Sequence, residues 1–276
     1  MTLLEIAAVL LAGVGAGMIN AVVGSGTLIT FPTLLAIGVP PVTANMSNSL
    51  GLVPGSIAGA FGYRRELVGQ RGRLLRLLAF SSVGGVVGAV LLLVLPPGAF
   101  EAVVPVLILL GIVLVVLQPR LSRAVAARAE RRGEPVSDPP DPSDENGAGA
   151  IERSWWVPLA VLATGVYGGY FGAAQGVLLM GVLGIGVTDA LQRLNGVKNV
   201  LVAVVNAIAG LVFVIVAELG LFGAEARVDW LLVLLIALGA VCGGLLGAAV
   251  GRRLPPVALR AVIVVVGLVA VVTLIA

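Results

Sequence analysis

The sequence predicts an all-α, polytopic integral membrane protein, and three observations carry that prediction. Hydrophobic residues make up 59% of the 276-residue chain and charged residues only 11%, where a soluble domain carries about 25% charged residues. No water-soluble surface can be built from this composition unless most of it faces lipid. The apolar mass is Leu, Val, Ala, Ile and Gly rather than aromatic, and it is gathered into long runs. The basic residues stand in short segments between those runs. That is the positive-inside signature and not a phosphate-binding face, so the net charge of +3 implies no nucleic-acid partner.

A transmembrane helix needs about 20 mainly apolar residues. Full-length candidates lie at roughly 3–22, 43–62, 75–95, 101–118, 155–173, 197–217, 229–249 and 257–275. The first 20 residues lack a basic n-region and a clear cleavage site, so they read as a retained membrane segment. The runs 27–38 and 176–187 hold only 12 residues each. As helix, 12 residues rise about 18 Å, well under the ~30 Å hydrocarbon core. They are expected to be half-helices or the short halves of broken helices.

Between the fourth and fifth full-length runs the composition changes. The interval 119–154 begins basic, as a short surface helix would, and becomes Pro- and Asp-rich over 133–150, the composition of a disordered linker. It divides the chain into a first membrane repeat, 1–118, a cytoplasmic linker, 119–154, and a second membrane repeat, 155–276. Each half holds a glycine-rich turn, an apolar half-helix, an Ile-Gly-Val triplet (Ile37-Gly38-Val39 and Ile185-Gly186-Val187), and a polar Asn stretch opening a long helix. If Gly24-Ser25-Gly26 is matched to Ala174-Gln175-Gly176, the spacing to the triplet differs by two residues.

Charge sets the orientation. Arg64, Arg65, Arg71, Arg73 and Arg76 form one cluster. Arg120, Arg123, Arg128, Arg131, Arg132 and Arg153 fill the linker, and Arg252 and Arg253 lie between the last two helices. Counting the short runs as crossings gives five per half, an outside N-terminus, and all these clusters inside. An odd number per half makes the repeats inverted, a recurrent plan of secondary transporters. The expected location is the plasma membrane.

Three constellations could carry chemistry. In the first, Asn20, Gly24, Ser25, Gly26 and Thr27 precede a half-helix whose free N–H groups and positive dipole end form an anion site. The competing reading is a tight turn with an N-cap. The second is Tyr167, Gly168, Gly169, Tyr170, Gly172, Gln175 and Gly176. Packing of one helix through Gly168, Gly172 and Gly176 would explain its glycines but not Gln175, which is costly in lipid without a partner. The third sets Asn45, Ser47, Asn48 and Ser49 with Asn195, Lys198, Asn199 and Asn206. It reads either as the polar lining opposite the two turns or as interhelical glue. Lys198 is either a snorkelling lysine beside Arg193 or the one fixed positive charge near the path. The ladders Gly51, Gly55, Gly59 and Gly239, Gly243, Gly247, Gly251 read as packing faces, which could also pair copies of the chain.

Other chemistry is poorly supplied. The chain has no histidine and one cysteine, Cys242, in an apolar run. No disulfide framework, cysteine metal cluster, thiol relay or cofactor site is implied. Val23-Gly24-Ser25-Gly26 resembles the nucleophile motif of rhomboid-like serine proteases, but that chemistry needs a base, usually histidine. Aspartyl proteolysis needs two carboxylates, and only Asp189 is placed for one. Asp189 is instead the candidate for coupling transport to protons.

The string from Asn20 to Pro32, the segment Leu35 to Asn45, Tyr167 to Gly176, and Leu194 to Asn199 together resemble the two repeats of the TauE/SafE family of sulfite exporters. The resemblance spans the whole chain, with 119–154 as its variable middle. It implies a membrane exporter of sulfite or a related small organosulfur anion, working in the lipid bilayer without a cofactor. The substrate contacts expected are Asn20, Ser25, Gly26, Thr27, Asn48, Gln175, Gly176, Lys198 and Asn199. A passive anion channel of the same fold is the alternative. A structural or assembly subunit fits less well, since a scaffold has no reason to hold Gln and Asn at membrane depth.

Overall fold

The computed structural model describes residues 1–131, 155–187, 189–220, 227–250 and 256–275. Among these residues all regular structure is helical. The first half contributes α1 (Leu3–Val22), α2 (Thr27–Ala36), α3 (Pro41–Gly62), α4 (Arg71–Val94) and α5 (Pro97–Arg131). The second contributes α6 (Trp156–Tyr170), α7 (Gln175–Gly186), α8 (Leu191–Leu219), α9 (Trp230–Val250) and α10 (Pro256–Ile275). The 133–150 linker and Arg132, Arg153, Arg252 and Arg253 lie outside the described residues. The surface helix expected after residue 118 is the direct continuation of α5, which runs through Pro119 to Arg131.

Five of these helices are long and apolar enough to cross a membrane: Leu3–Val22, Arg71–Val94, Pro97–Ala124, Leu191–Leu219 and Trp230–Gly247. α3 has the length, at 22 residues, but its first half carries Thr43, Asn45, Ser47, Asn48 and Ser49. Proline opens it at the first helical position, where the missing N–H would have had no partner. The predicted 155–173 span is shorter than expected. α6 stops at Tyr170 after 15 residues, because Gly172 and Ala174 take left-handed backbone angles (φ 77° and 59°).

Each half holds five helices, one of them short, as expected, and each short helix folds back on the helix before it. α2 folds back along α1, with Gly26 against Ala16 and Ile29 against Gly15. α7 folds back along α6, so that Gly186 returns to Trp156 and Val157 at the start of α6. Each pair is a helical hairpin.

Contact registers give the helix directions. Gly239, Gly243 and Gly247 meet Leu10, Val14 and Met18 in order, so α1 and α9 run the same way. Gly51 and Gly55 meet Ile236 and Ala240, so α3 runs with α9. Gly84 and Gly88 meet Leu162 and Val166, so α4 runs with α6. Gly196 lies against Tyr63 and Gly210 against Leu50, so α8 opposes α3. The described glycines of both ladders are thus packed within the chain, and Gly251 lies outside the described residues.

The main apolar core gathers Phe31, Phe100, Phe171 and Tyr170 in edge-to-face contacts, with centroids 5.1 to 6.4 Å apart. A second cluster joins Leu77, Val157, Val161, Leu179, Leu194 and Leu201 across α4, α6, α7 and α8. The outer faces of α4, α5 and α10 expose Val and Leu, such as Val87, Val106, Leu110 and Val265, as a surface turned to lipid would.

Candidate functional site

The two hairpins meet tip to tip, and the tips are built alike. α1 ends where the Ile19 carbonyl accepts from both Val23 N–H (2.7 Å) and Gly24 N–H (3.1 Å). α6 ends where the Tyr167 carbonyl accepts from Phe171 N–H (3.0 Å) and Gly172 N–H (3.1 Å). Gly24 and Gly172 both take positive φ, 84° and 77°, the left-handed C-cap that glycine adopts without steric cost. One constant shift along the chain therefore carries Ile19, Gly24, Thr27 and Ile37-Gly38-Val39 onto Tyr167, Gly172, Gln175 and Ile185-Gly186-Val187. The two-residue spacing difference disappears. It came from matching Gly24-Ser25-Gly26 to Ala174-Gln175-Gly176, whereas the structural counterpart of Gln175 is Thr27, the first residue of the other half-helix.

The tips touch through backbone. Gly176 N–H donates to the Gly24 carbonyl at 3.0 Å, and a Cβ on either glycine would lie 2.5 Å from the other's Cα. Two asparagines tie the halves reciprocally. Asn199 Nδ2 on α8 donates to the Ala21 carbonyl at the end of α1 (3.3 Å). Asn45 Nδ2 on α3 donates to the Tyr170 carbonyl at the end of α6 (2.9 Å). Helix C-termini have carbonyls without intrahelical partners, and each broken helix here has one satisfied from the opposite half.

Polar side chains surround the junction. Asn48 Nδ2 donates to Thr27 Oγ1 (3.2 Å), and Thr30 Oγ1 donates to Asn48 Oδ1. Asn20 Nδ2 donates to Ser56 Oγ (2.8 Å). A methyl group placed on Gly172 would lie 3.9 Å from both Asn206 Oδ1 and Thr27 Oγ1, which brings the second tip beside α2 and α8. The Gln175 carboxamide lies over Gly168, and neither of its polar atoms has a hydrogen-bond partner. Ser25 Oγ and Lys198 Nζ are likewise buried without partners. Ser25, Thr27, Thr30, Asn48, Gln175, Lys198 and Asn199 are all buried, so the junction is closed to solvent.

Backbone donors differ between the tips. In α2 the hydrogen-bond ladder begins with Leu28 N–H to the Ser25 carbonyl and Ile29 N–H to the Gly26 carbonyl. The N–H groups of Gly26 and Thr27 precede it and are the orphan donors of the helix start. In α7 the Gln175 N–H bonds to the Gly172 carbonyl and the Gly176 N–H to Gly24. The donor at Gly176, expected to meet a ligand, is already used.

Of the predicted contacts, the structure brings Ser25, Gly26, Thr27, Asn48, Gln175 and Gly176 together at or beside the junction. Asn20 and Asn199 support the end of α1. Lys198 does not reach the surface as a snorkelling side chain would. Asp189 stands apart, at the far end of α7, about 18 Å along the helix axis from Gln175. There it pairs with Arg73 and, at 3.0 Å, with Arg193, and it caps Ala190 N–H at 2.8 Å. Sequence reasoning did not single out Thr30 or Ser56, and it placed Asn45 and Asn206 only in a polar ladder. The remaining signal is the i, i+3 relation of Asn45 to Asn48 on one helix face.

The junction is rich in donors, and no buried carboxylate occurs among the described residues. Such a place suits an anion. Residues 9–274 match the family model described as Sulfite exporter TauE/SafE. The Probable membrane transporter protein YfcA of Escherichia coli K12 is 27% identical over 165 residues, covering 58% of this chain and 52% of that protein. The Probable membrane transporter protein ORF9 of Sinorhizobium sp is 31% identical over 94 residues, covering 34% and 36%. The chain thus spans about half the length of the YfcA relative it matches. No solved structure matches.

Proposed function

The chain belongs to the sulfite exporter TauE/SafE family, and from that premise we propose that it is a secondary transporter of a small anion, sulfite or a related organosulfur anion, held where the two hairpins meet. The observation that carries this reading is the donor-rich tip junction, with Ser25 and Gln175 buried and unpartnered. Gly26 and Thr27 N–H, at the positive end of α2, would bind the charge. Ser25 Oγ, the Gln175 amide and Lys198 would complete the shell. Asn48, Asn20 and Asn199 hold the surrounding backbone and hydroxyls in place. Gly176 contributes close approach rather than a donor, since its N–H is spent on Gly24.

In this reading the halves are inverted membrane repeats in the plasma membrane, joined by a cytoplasmic linker over 119–154. Any homo-oligomer is left to the outer Leu and Val faces. The test is sulfite flux into proteoliposomes of the purified chain, with and without an imposed pH gradient. Saturable flux that follows the gradient is expected. Ser25→Leu and Gln175→Leu are each expected to abolish it while the protein still inserts. Normal flux in both variants would remove the proposed site. Flux that does not saturate would turn the reading to a passive anion channel.

A further inference from the structure

Lys198 is the one lysine in the chain, and it is fully buried (0% exposed) on α8 with no partner for its Nζ. At 100° per residue, position 198 falls between two faces of that helix. On one side Leu194, Val197 and Leu201 pack into the apolar cluster with α4, α6 and α7. On the other, Asn199 bonds to the end of α1. Lys198 therefore sits between the elements that carry the two hairpins.

The elements packed on α8 are α3, α4, α6, α7 and α1. The turn after α3 carries Tyr63, Arg64, Arg65 and Glu66, α4 carries Arg71, Arg73 and Arg76, α6 carries Tyr167 and Tyr170, and the start of α8 itself carries Asp189 and Arg193. α1 offers only Glu5 at its opposite end, and α7 offers none. Asp189 is committed to Arg73 and Arg193.

Building on the anion site at the tips, we propose that Lys198 carries the proton that couples anion movement to the pH gradient. An isolated charge in the membrane interior is costly. Two arrangements avoid that cost: an ammonium beside a bound anion, or a neutral amine beside an empty site. On the loading side, the Nζ lone pair takes a proton from water as a monoanion binds. On the unloading side, Nζ returns that proton to water as the anion leaves. One proton and one monoanion cross together, without net charge transfer.

The experiment uses the full chain in proteoliposomes with sulfite as the probe. It compares wild type, Lys198→Arg and Lys198→Gln in two assays: uphill accumulation driven by a pH gradient, and sulfite–sulfite counterflow at equal pH. Counterflow requires no net proton movement. Wild type is expected to do both. Both variants are expected to lose pH-driven accumulation, because neither side chain cycles a proton, while counterflow persists at a reduced rate. A variant that accumulates sulfite as wild type does would overturn the proposal and leave the anion site standing. Loss of counterflow in both inserted variants would also overturn it, leaving Lys198 a binding residue only. Wild-type counterflow without pH-driven accumulation would overturn it too. Absence of both activities in wild type would bring down the anion-site reading itself.

Discussion

A methyl group on Gly168 would land on the carboxamide of Gln175, so the smallness of one residue positions the other. Gly168→Ala is therefore expected to displace Gln175 and lower sulfite flux by about tenfold or more, one buried hydrogen bond being worth about 1–3 kcal/mol. Proteoliposome uptake at matched protein density would show it, and unchanged flux would mean that Gln175 does not contact the anion. Its neighbour Ala174 is fully buried with φ 59°, a region that β-branched residues rarely enter. Ala174→Gly should leave the melting temperature near wild type, whereas Ala174→Val should cost about 1–3 kcal/mol, read as a lower melting temperature in detergent. Ser25, Thr27, Asn48 and Gln175 were legible in the sequence because polar side chains in an apolar chain need a reason to be there. The three separate tasks of Gly168, Gly172 and Gly176 were not. Their spacing suits one continuous helix, and nothing in the composition marks the left-handed turn at Gly172 that ends α6. The cross-half bond from Asn45 to the Tyr170 carbonyl joins residues 125 positions apart, beyond what any local pattern reports.

Helix lengths separate the candidate membrane spans from the short helices that turn back. The short runs α2 and α7 could be read from the sequence as half-helices on length alone. Their fold-back against α1 and α6 could not, because direction depends on contacts such as Gly186 with Val157. α6 was overestimated for a related reason: its apolar run continues through the turn, so hydropathy shows no boundary. The glycine ladders were read correctly as packing faces, and the structure adds their partners. Gly243 is pressed against the Val14 carbonyl and Met18 N–H of α1, while Gly72 at the start of α4 has open space where a side chain would go. Gly243→Val should therefore destabilise the α1–α9 pair by about 1–3 kcal/mol, the usual cost of overpacking. Gly72→Ala should have no measurable effect. Thermal unfolding of both variants in the same detergent checks the contrast. Equal melting temperatures would mean that α1 and α9 are not so closely packed.

The directions of the helices place the ends of the whole molecule. α1 and α9 begin at one end, because they run together, and Asp229 N–H at the start of α9 donates to Ser47 Oγ (2.9 Å) near the start of α3. The turn after α3 and the start of α8 lie at the other end, where Arg73 meets Asp189 and Arg193 reaches the Val68 carbonyl. Every arginine of the first cluster therefore shares an end with Arg193, and α5 descends toward the same end, since Leu121 packs on Gly181 of α7. The hairpins enter from opposite ends, α1–α2 from the first and α6–α7 from the second, and close on each other at Gly24 and Gly176. A solute at the tips could then leave by either end only when one hairpin parts from its surroundings, a geometry suited to a carrier with a buried site. On the positive-inside bias, the arginine-rich end is expected to face the cytoplasm. In a Cys242→Ser background, Leu4→Cys and Trp230→Cys are expected to react with an impermeant thiol reagent on intact cells, and Arg65→Cys and Arg120→Cys only after lysis. The reverse pattern would invert the molecule in the membrane. Labelling of all four from outside would contradict the separation of the two ends, and with it the tip-to-tip meeting of two opposed hairpins on which the anion site depends.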